Sequence, residues 1–169
     1  MTHPLPPALS DGFPSDSYDD WLDRVRSTYE SVSFSCMHRL GDRLLADRVG
    51  AQVVAGMLRK PGVFRFFGLP YSARIGHLAE ARIAEAKAGR RDQIAEWDRI
   101  LRSLRSIPAP DRDAFVLTCV QGLEVPEIAG RLGLTDQEAR RLIDTALGRM
   151  RAIADEELGD ETSAASQTE

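Results

Sequence analysis

Apolar residues recur along this chain at helical rather than alternating spacing. Over residues 18–39, Trp21, Leu22, Val25, Tyr29, Val32 and Met37 follow that period, with Ser17 placed to cap the start and Gly41 to break the end. A second amphipathic helix is expected over 42–59, where Leu44, Leu45, Val49, Val53, Val54 and Met57 build a broad apolar stripe. Lys60-Pro61-Gly62 should stop it. After a short aromatic stretch at 63–69, Pro70 is placed to open a helix through about Lys87, packed by Ile75, Leu78, Ala79 and Ile83.

Periodicity lapses at Ala88-Gly89-Arg90-Arg91-Asp92, the best domain boundary in the chain. Beyond it, Ile94, Trp97, Ile100, Leu101 and Leu104 mark a helix that must end near Pro108 and Pro110. Phe115, Val116, Cys119 and Val120 mark the next helix, and Val125, Ile128, Ala129 and Leu132 a short third one. Gly133-Leu134 reads as a tight turn, and Thr135 with Glu138 three residues on reads as a capping box opening a final helix to about Glu157. Its buried side should carry Ala139, Leu142, Ile143, Ala146, Met150 and Ile153. Its exposed side should carry Arg140, Arg141, Asp144, Thr145, Gly148 and Arg149.

The pattern predicts an all-α protein of two small helical domains, the second a four-helix domain built on a helix-turn-helix. The expected divisions are a flexible arm at 1–17, a first domain at 18–88, a linker at 89–93, a second domain at 94–157 and an acidic disordered tail at 158–169. By composition, Glu156 and Glu157 group with that tail's acidic run. One bundle running from Tyr18 through Ile153 is the alternative division.

Composition narrows the function. With 43% hydrophobic and 28% charged residues among 169, the chain fits the ordinary globular class. No apolar run approaches the roughly 20 residues that cross a bilayer, and no charged, hydrophobic leader opens the chain, so no membrane insertion and a cytoplasmic location are expected. The net charge of -4 conceals a mildly basic pair of helical segments beside an acidic terminus. That excess is too small to hold nucleic acid by electrostatics alone. Two cysteines, Cys36 and Cys119, and three scattered histidines suggest neither a disulfide framework nor a metal site. Asp19, Asp20 and Asp23, or His38 near Cys36, assemble no nucleophile, base and orienting group, and no phosphate-binding loop is present. No enzyme and no cofactor are expected.

The strongest functional signal is the segment from Gln121 to Thr135 and the helix after it. If that helix enters a major groove, Arg140, Arg141 and Thr145 are its contacts to bases and phosphate, with Arg149 one turn later and Arg131 reaching phosphate from the preceding helix. Local i,i+4 pairing of Arg140 with Asp144, or Arg141 with Thr145, is the competing use of those side chains. Phe64, Phe66, Phe67 and Tyr71 are candidates to hold unstacked bases, against the commoner use of such rings in a core or interface.

Over about residues 18–154 the chain resembles the extracytoplasmic-function class of sigma-70 family RNA polymerase sigma factors. Leu104-Arg105-Ser106-Ile107-Pro108, Asp111-Arg112, Gly122-Leu123, Glu127-Ile128-Ala129 and Leu132-Gly133-Leu134 occur in the family's order. The amino-terminal likeness is looser: Arg39-Leu40-Gly41-Asp42, Ala46-Asp47-Arg48-Val49 and Gln52-Val53-Val54 look like a diverged polymerase-gripping helix pair. Arg48 and Gln52 stand where acidic residues are usual, and residues 69–79 lack the tryptophan and basic stretch usual for promoter melting. The resemblance implies core RNA polymerase and promoter DNA as partners and leaves room for an anti-sigma or other regulatory protein. It assigns DNA binding to Arg131, Arg140, Arg141 and Thr145, and polymerase binding to Asp47, Arg48 and Gln52. Two functions stay open: a working, divergent sigma factor, and a sigma-like regulator or adaptor without autonomous promoter recognition.

Overall fold

The computed structural model describes residues 14–66, 73–89 and 95–159. Helix α1 spans Pro14–Leu40, α2 Arg43–Arg59, α3 Ala73–Lys87, α4 Trp97–Arg105, α5 Ala109–Phe115, α6 Val125–Leu132 and α7 Asp136–Leu158. A 3-10 turn at Pro61–Phe66 follows α2, and a π-helical turn at Val116–Val120 continues α5. The fold is all-α, as the periodicity predicts. Helix α1 starts earlier than residue 18, so Ser17 lies inside it rather than capping it. The remainder of the expected arm, the linker residues 90–93 and the tail from residue 160 lie outside the described residues.

Two local signals act as the sequence predicts. Gly41 adopts a left-handed φ of 66° between α1 and α2. Asp42 then caps α2, its carboxylate accepting from the Leu45 amide at 3.1 Å. Lys60-Pro61-Gly62 ends the helix where expected.

Helix α2 departs from the amphipathic expectation. Val49, Gly50, Ala51, Gln52, Val53, Val54 and Ala55 are all buried in succession, which covers every direction around the helix axis. This is the central helix of the molecule, packed by α1, α3, α4 and α7. Its approach to α1 is close. A Cβ added at Gly50 would lie 2.3 Å from Ser33 Oγ and 3.1 Å from the Tyr29 ring.

The two expected halves share one core. Trp21 of α1 packs on Phe115 of α5 at a centroid distance of 4.6 Å and on Phe64 at 5.1 Å, with Tyr18 joining at 5.1 Å from Trp21. All four rings are buried. The Tyr18 hydroxyl donates to the Leu104 carbonyl at 2.6 Å, and the Arg112 guanidinium lies 4.9 Å from the Tyr18 ring centroid. Burial raises the Tyr18 pKa, partly offset by Arg112, so the phenol stays protonated and serves as a donor. At the outer edge of the same seam, Tyr29 and Trp97 stack at 4.6 Å.

The far end of α7 completes the junction. Glu157, grouped with the acidic tail by composition alone, is 4% exposed and belongs to the core. Its Oε1 accepts from Arg99 Nε at 2.5 Å, and its Oε2 accepts from Arg99 at 2.8 Å and from the Glu96 amide at 3.0 Å. A buried carboxylate requires such partners, and the fork of arginine matches it with two bonds. The bonds to Glu157 also raise the Arg99 pKa. Nearby, Arg59 of α2 donates to Asp155 at 3.3 Å and to the Gly159 carbonyl at 2.6 Å, satisfying a carbonyl at the end of α7.

Cys36 and Cys119 are free and buried; burial pushes the Cys36 thiol up to about 11. No helix among the described residues is long and apolar enough to cross a membrane.

Two stability measurements check this packing. Glu157→Ala should lower the unfolding free energy by about 2–3 kcal/mol, since Arg99 and the Glu96 amide lose charge-assisted bonds while Arg99 regains some water. The loss should shrink when Arg99 is already alanine, as read by denaturant melts of a double-mutant cycle. Gly50→Ala should cost about 1–3 kcal/mol by forcing α1 from α2, and a melt unchanged from the parent protein would contradict that close approach.

Candidate nucleic-acid interface

The helix-turn-helix is assembled from α6 and α7. Pro126 lies in the first turn of α6, where its missing amide proton costs no helical bond. Gly133 closes the helix at φ 67° and ψ 35°, a left-handed conformation that strains residues with a Cβ. The amides of Gly133 and Leu134 both donate to the Ala129 carbonyl, turning the chain sharply into α7. Ile128 and Ala129 are buried beneath the turn.

The capping box predicted from Thr135 and Glu138 is present. Thr135 Oγ1 accepts from the Glu138 amide at 3.1 Å, while Glu138 Oε1 accepts from the Thr135 amide at 3.4 Å and from its hydroxyl at 2.9 Å. Both side chains are therefore engaged in opening the helix. Ala139, Ile143, Ala146, Met150 and Ile153 are buried as expected, and Leu142 is half-buried.

The opposite side of α7 is open. Arg140, Arg141, Asp144, Thr145, Gly148 and Arg149 are all exposed, as is Arg131 on α6. Arg131, Arg140 and Arg141 form no ion pair with any described residue, so all three guanidiniums are available to an external anion. Neither local pairing that the sequence allows arises between side chains. Thr145 instead donates its hydroxyl to the Arg141 carbonyl at 2.9 Å. Arg149 is engaged elsewhere, its Nε donating to Asp111 of α5, whose carboxylate is buried. That bond fixes α7 against α5 and draws Arg149 away from the open face. Nothing local in the sequence marks the pair, because its members are 38 positions apart.

The residues expected to meet polymerase fall in unequal surroundings. Asp47 is partly exposed and pairs with Arg43 at 4.0 Å. Asp47 and Arg48 line an open cleft of about 400 Å³ with Tyr29, Leu44, Trp97 and Asp98. Gln52 is 8% exposed, buried within the run that is packed all round the central helix. Phe64 is 1% exposed in the aromatic core and offers no face to a base. The Phe66 side chain, Phe67 and Tyr71 lie outside the described residues.

Sequence reasoning misses an apolar patch beside the cleft. Among the described residues, the exposed large apolar side chains are Phe34 at 69%, Leu44 at 66% and Met37 at 37%. Phe34 and Met37 are three residues apart on α1, and Leu44 follows across the Gly41 turn. A signal for it exists in the pattern, since Phe34 lies off the apolar stripe of its helix.

Residues 97–150 match the family model described as Sigma-70, region 4. No curated protein and no solved structure gives a match to the chain. The matched residues begin at the start of α4 and end within α7, so they include the left-handed turn, the capping box and the open arginine face. That family is one of DNA-binding, non-enzymatic transcription factors. The segment from Trp97 to Met150, about a third of the chain, is therefore similar to region 4 of the sigma-70 family.

Proposed function

We propose that the protein is a divergent sigma factor of the extracytoplasmic-function class, directing promoter-specific initiation through core RNA polymerase. The observation that carries this reading is the face of α7: Arg140 and Arg141 are exposed and unpaired, as is Arg131 on α6, while the other side of α7 is packed. A major groove admits such a helix, and arginine's fork matches the guanine edge or a phosphate. Thr145 contributes a short contact at the middle of the helix. Arg149 serves mainly to orient α7 through Asp111.

Polymerase docks, in this reading, on the cleft edge formed by Asp47 and Arg48 and on the apolar patch of Phe34, Met37 and Leu44. An apolar centre with charged residues at its rim is the usual anatomy of a protein interface. An anti-sigma or other regulatory protein would compete for either face. Work on promoter DNA with core polymerase is cytoplasmic.

A second reading is a sigma-like adaptor that binds protein partners without recognising promoters by itself. The burial of Phe64 and Gln52 favours it, because two elements that the sigma-factor resemblance would employ are occupied in the core. The two readings diverge in one assay. Core polymerase supplemented with the purified chain should start transcripts at discrete sites in a genomic promoter library; a stable polymerase complex that starts none would establish the adaptor.

Replacing both Arg140 and Arg141 with alanine should weaken promoter binding by about tenfold or more per lost bidentate contact. Helicity and the thermal midpoint should stay unchanged, since neither side chain is packed. Equal promoter affinity for the variant and the parent chain would remove these arginines from the interface.

A further inference from the structure

The first two turns of α7 contain five exposed polar side chains: Asp136, Gln137, Glu138, Arg140 and Arg141. The structure separates them by what each is already doing. Glu138 is committed to the capping box, where its carboxylate accepts from both the amide and the hydroxyl of Thr135. Farther along, Arg149 is held by Asp111, and the Thr145 proton is given to the Arg141 carbonyl. Asp136, a bare acceptor in the first turn, complements the helix dipole and repels phosphate.

Gln137 is different in kind. It is the one neutral side chain of the five, and its amide offers a donor and an acceptor together. It is also well aimed. At 100° per residue, Gln137, Arg141, Asp144 and Gly148 fall on one line, opposite the buried line of Ala139, Ile143, Ala146 and Met150. Gly148 carries no side chain, and a Cβ there would meet nothing within 4 Å. The helix can therefore approach a surface closely along this line. Gln137 stands at its leading end, near the turn that presents the helix.

From this geometry we propose that Gln137 is a specificity-determining residue, reading adenine in the major groove through its N6 and N7, beside a guanine read by Arg141. An amide with one donor and one acceptor matches adenine's edge, as a guanidinium matches guanine's. The two side chains are one helical turn apart, about 6 Å along the axis, against about 3.4 Å per base step. The adenine and guanine therefore lie one or two base pairs apart. This inference rests on the DNA-reading role of α7 proposed above and adds the identity of a base and of the residue that reads it.

The test is selection from randomised duplex DNA by the full chain bound to its cognate core polymerase, comparing the parent protein with Gln137→Ala and Gln137→Glu. The parent should enrich sites with adenine and guanine one or two positions apart. Gln137→Ala should lose about tenfold of the adenine preference while keeping the guanine. Gln137→Glu should move the preference at that position from adenine to cytosine, whose exocyclic amine donates to a carboxylate. A change of base identity is a result that a merely structural role would not produce. If all three proteins enrich the same base at that position, the assignment of Gln137 fails while DNA reading by α7 stands. If the parent enriches no sequence at all, the reading beneath it fails as well.

Discussion

A carboxylate shut away from water governs how this molecule is put together. Glu157 lies near the end of α7, and burying its charge is tolerable only with donors on both oxygens. Those donors come from Arg99 and the backbone of Glu96, at the entrance to α4. The end of the longest helix in the second half is therefore tied to that half's beginning. Arg59 of α2 adds a tie to the first half. With its far end secured, α7 is a lever about 35 Å long, and its other end is free to carry arginines into solvent.

The ends of α7 consequently have opposite characters. One is packed against the central helix and the start of α4; the other rests on α6 and is aimed by the Gly133 turn. Between them, Arg149 of α7 bonds the buried carboxylate of Asp111 on α5. The exposed apolar residues Phe34 and Leu44 and the cleft at Asp47 and Arg48 lie elsewhere, on α1 and α2. The open arginine face and the apolar patch thus lie on different helices, α7 on one hand and α1 with α2 on the other.

How far this is legible in the sequence depends on the distance over which each interaction acts. The Thr135–Glu138 box and the Gly133 and Gly41 turns are written within a few residues, and each reads directly from residue type. The buried and open sides of α7 follow from its period, which puts Arg140 and Arg141 on the open side, where the structure has them. Gln52 and Phe64 are harder. Their burial depends on α7 and α5 folding back over the first half, and no local pattern encodes which segments meet. Glu157 shows the same limit from the other side. Its neighbours Asp155 and Glu156 are exposed acids, and only the arrival of Arg99 from 58 positions away makes it a core residue. The significance of Gln137 emerges only once Glu138 and Arg149 are seen to be engaged, and the second of those engagements is long-range.

The π-helical turn has its own bearing on how the molecule holds together. Ala114, Phe115, Val116 and Leu117 are buried one after another, so this short rod has no dry side and wet side but must be sheathed all round. Its sheath comes from α1 and the 3-10 turn on one flank and from α6 and α7 on the other. The widened winding, with the Gln121 amide reaching back five residues to Val116, suits a segment gripped from every quarter. It is an axle housed in both halves at once, and a partner that tugs on either half must transmit the strain through it.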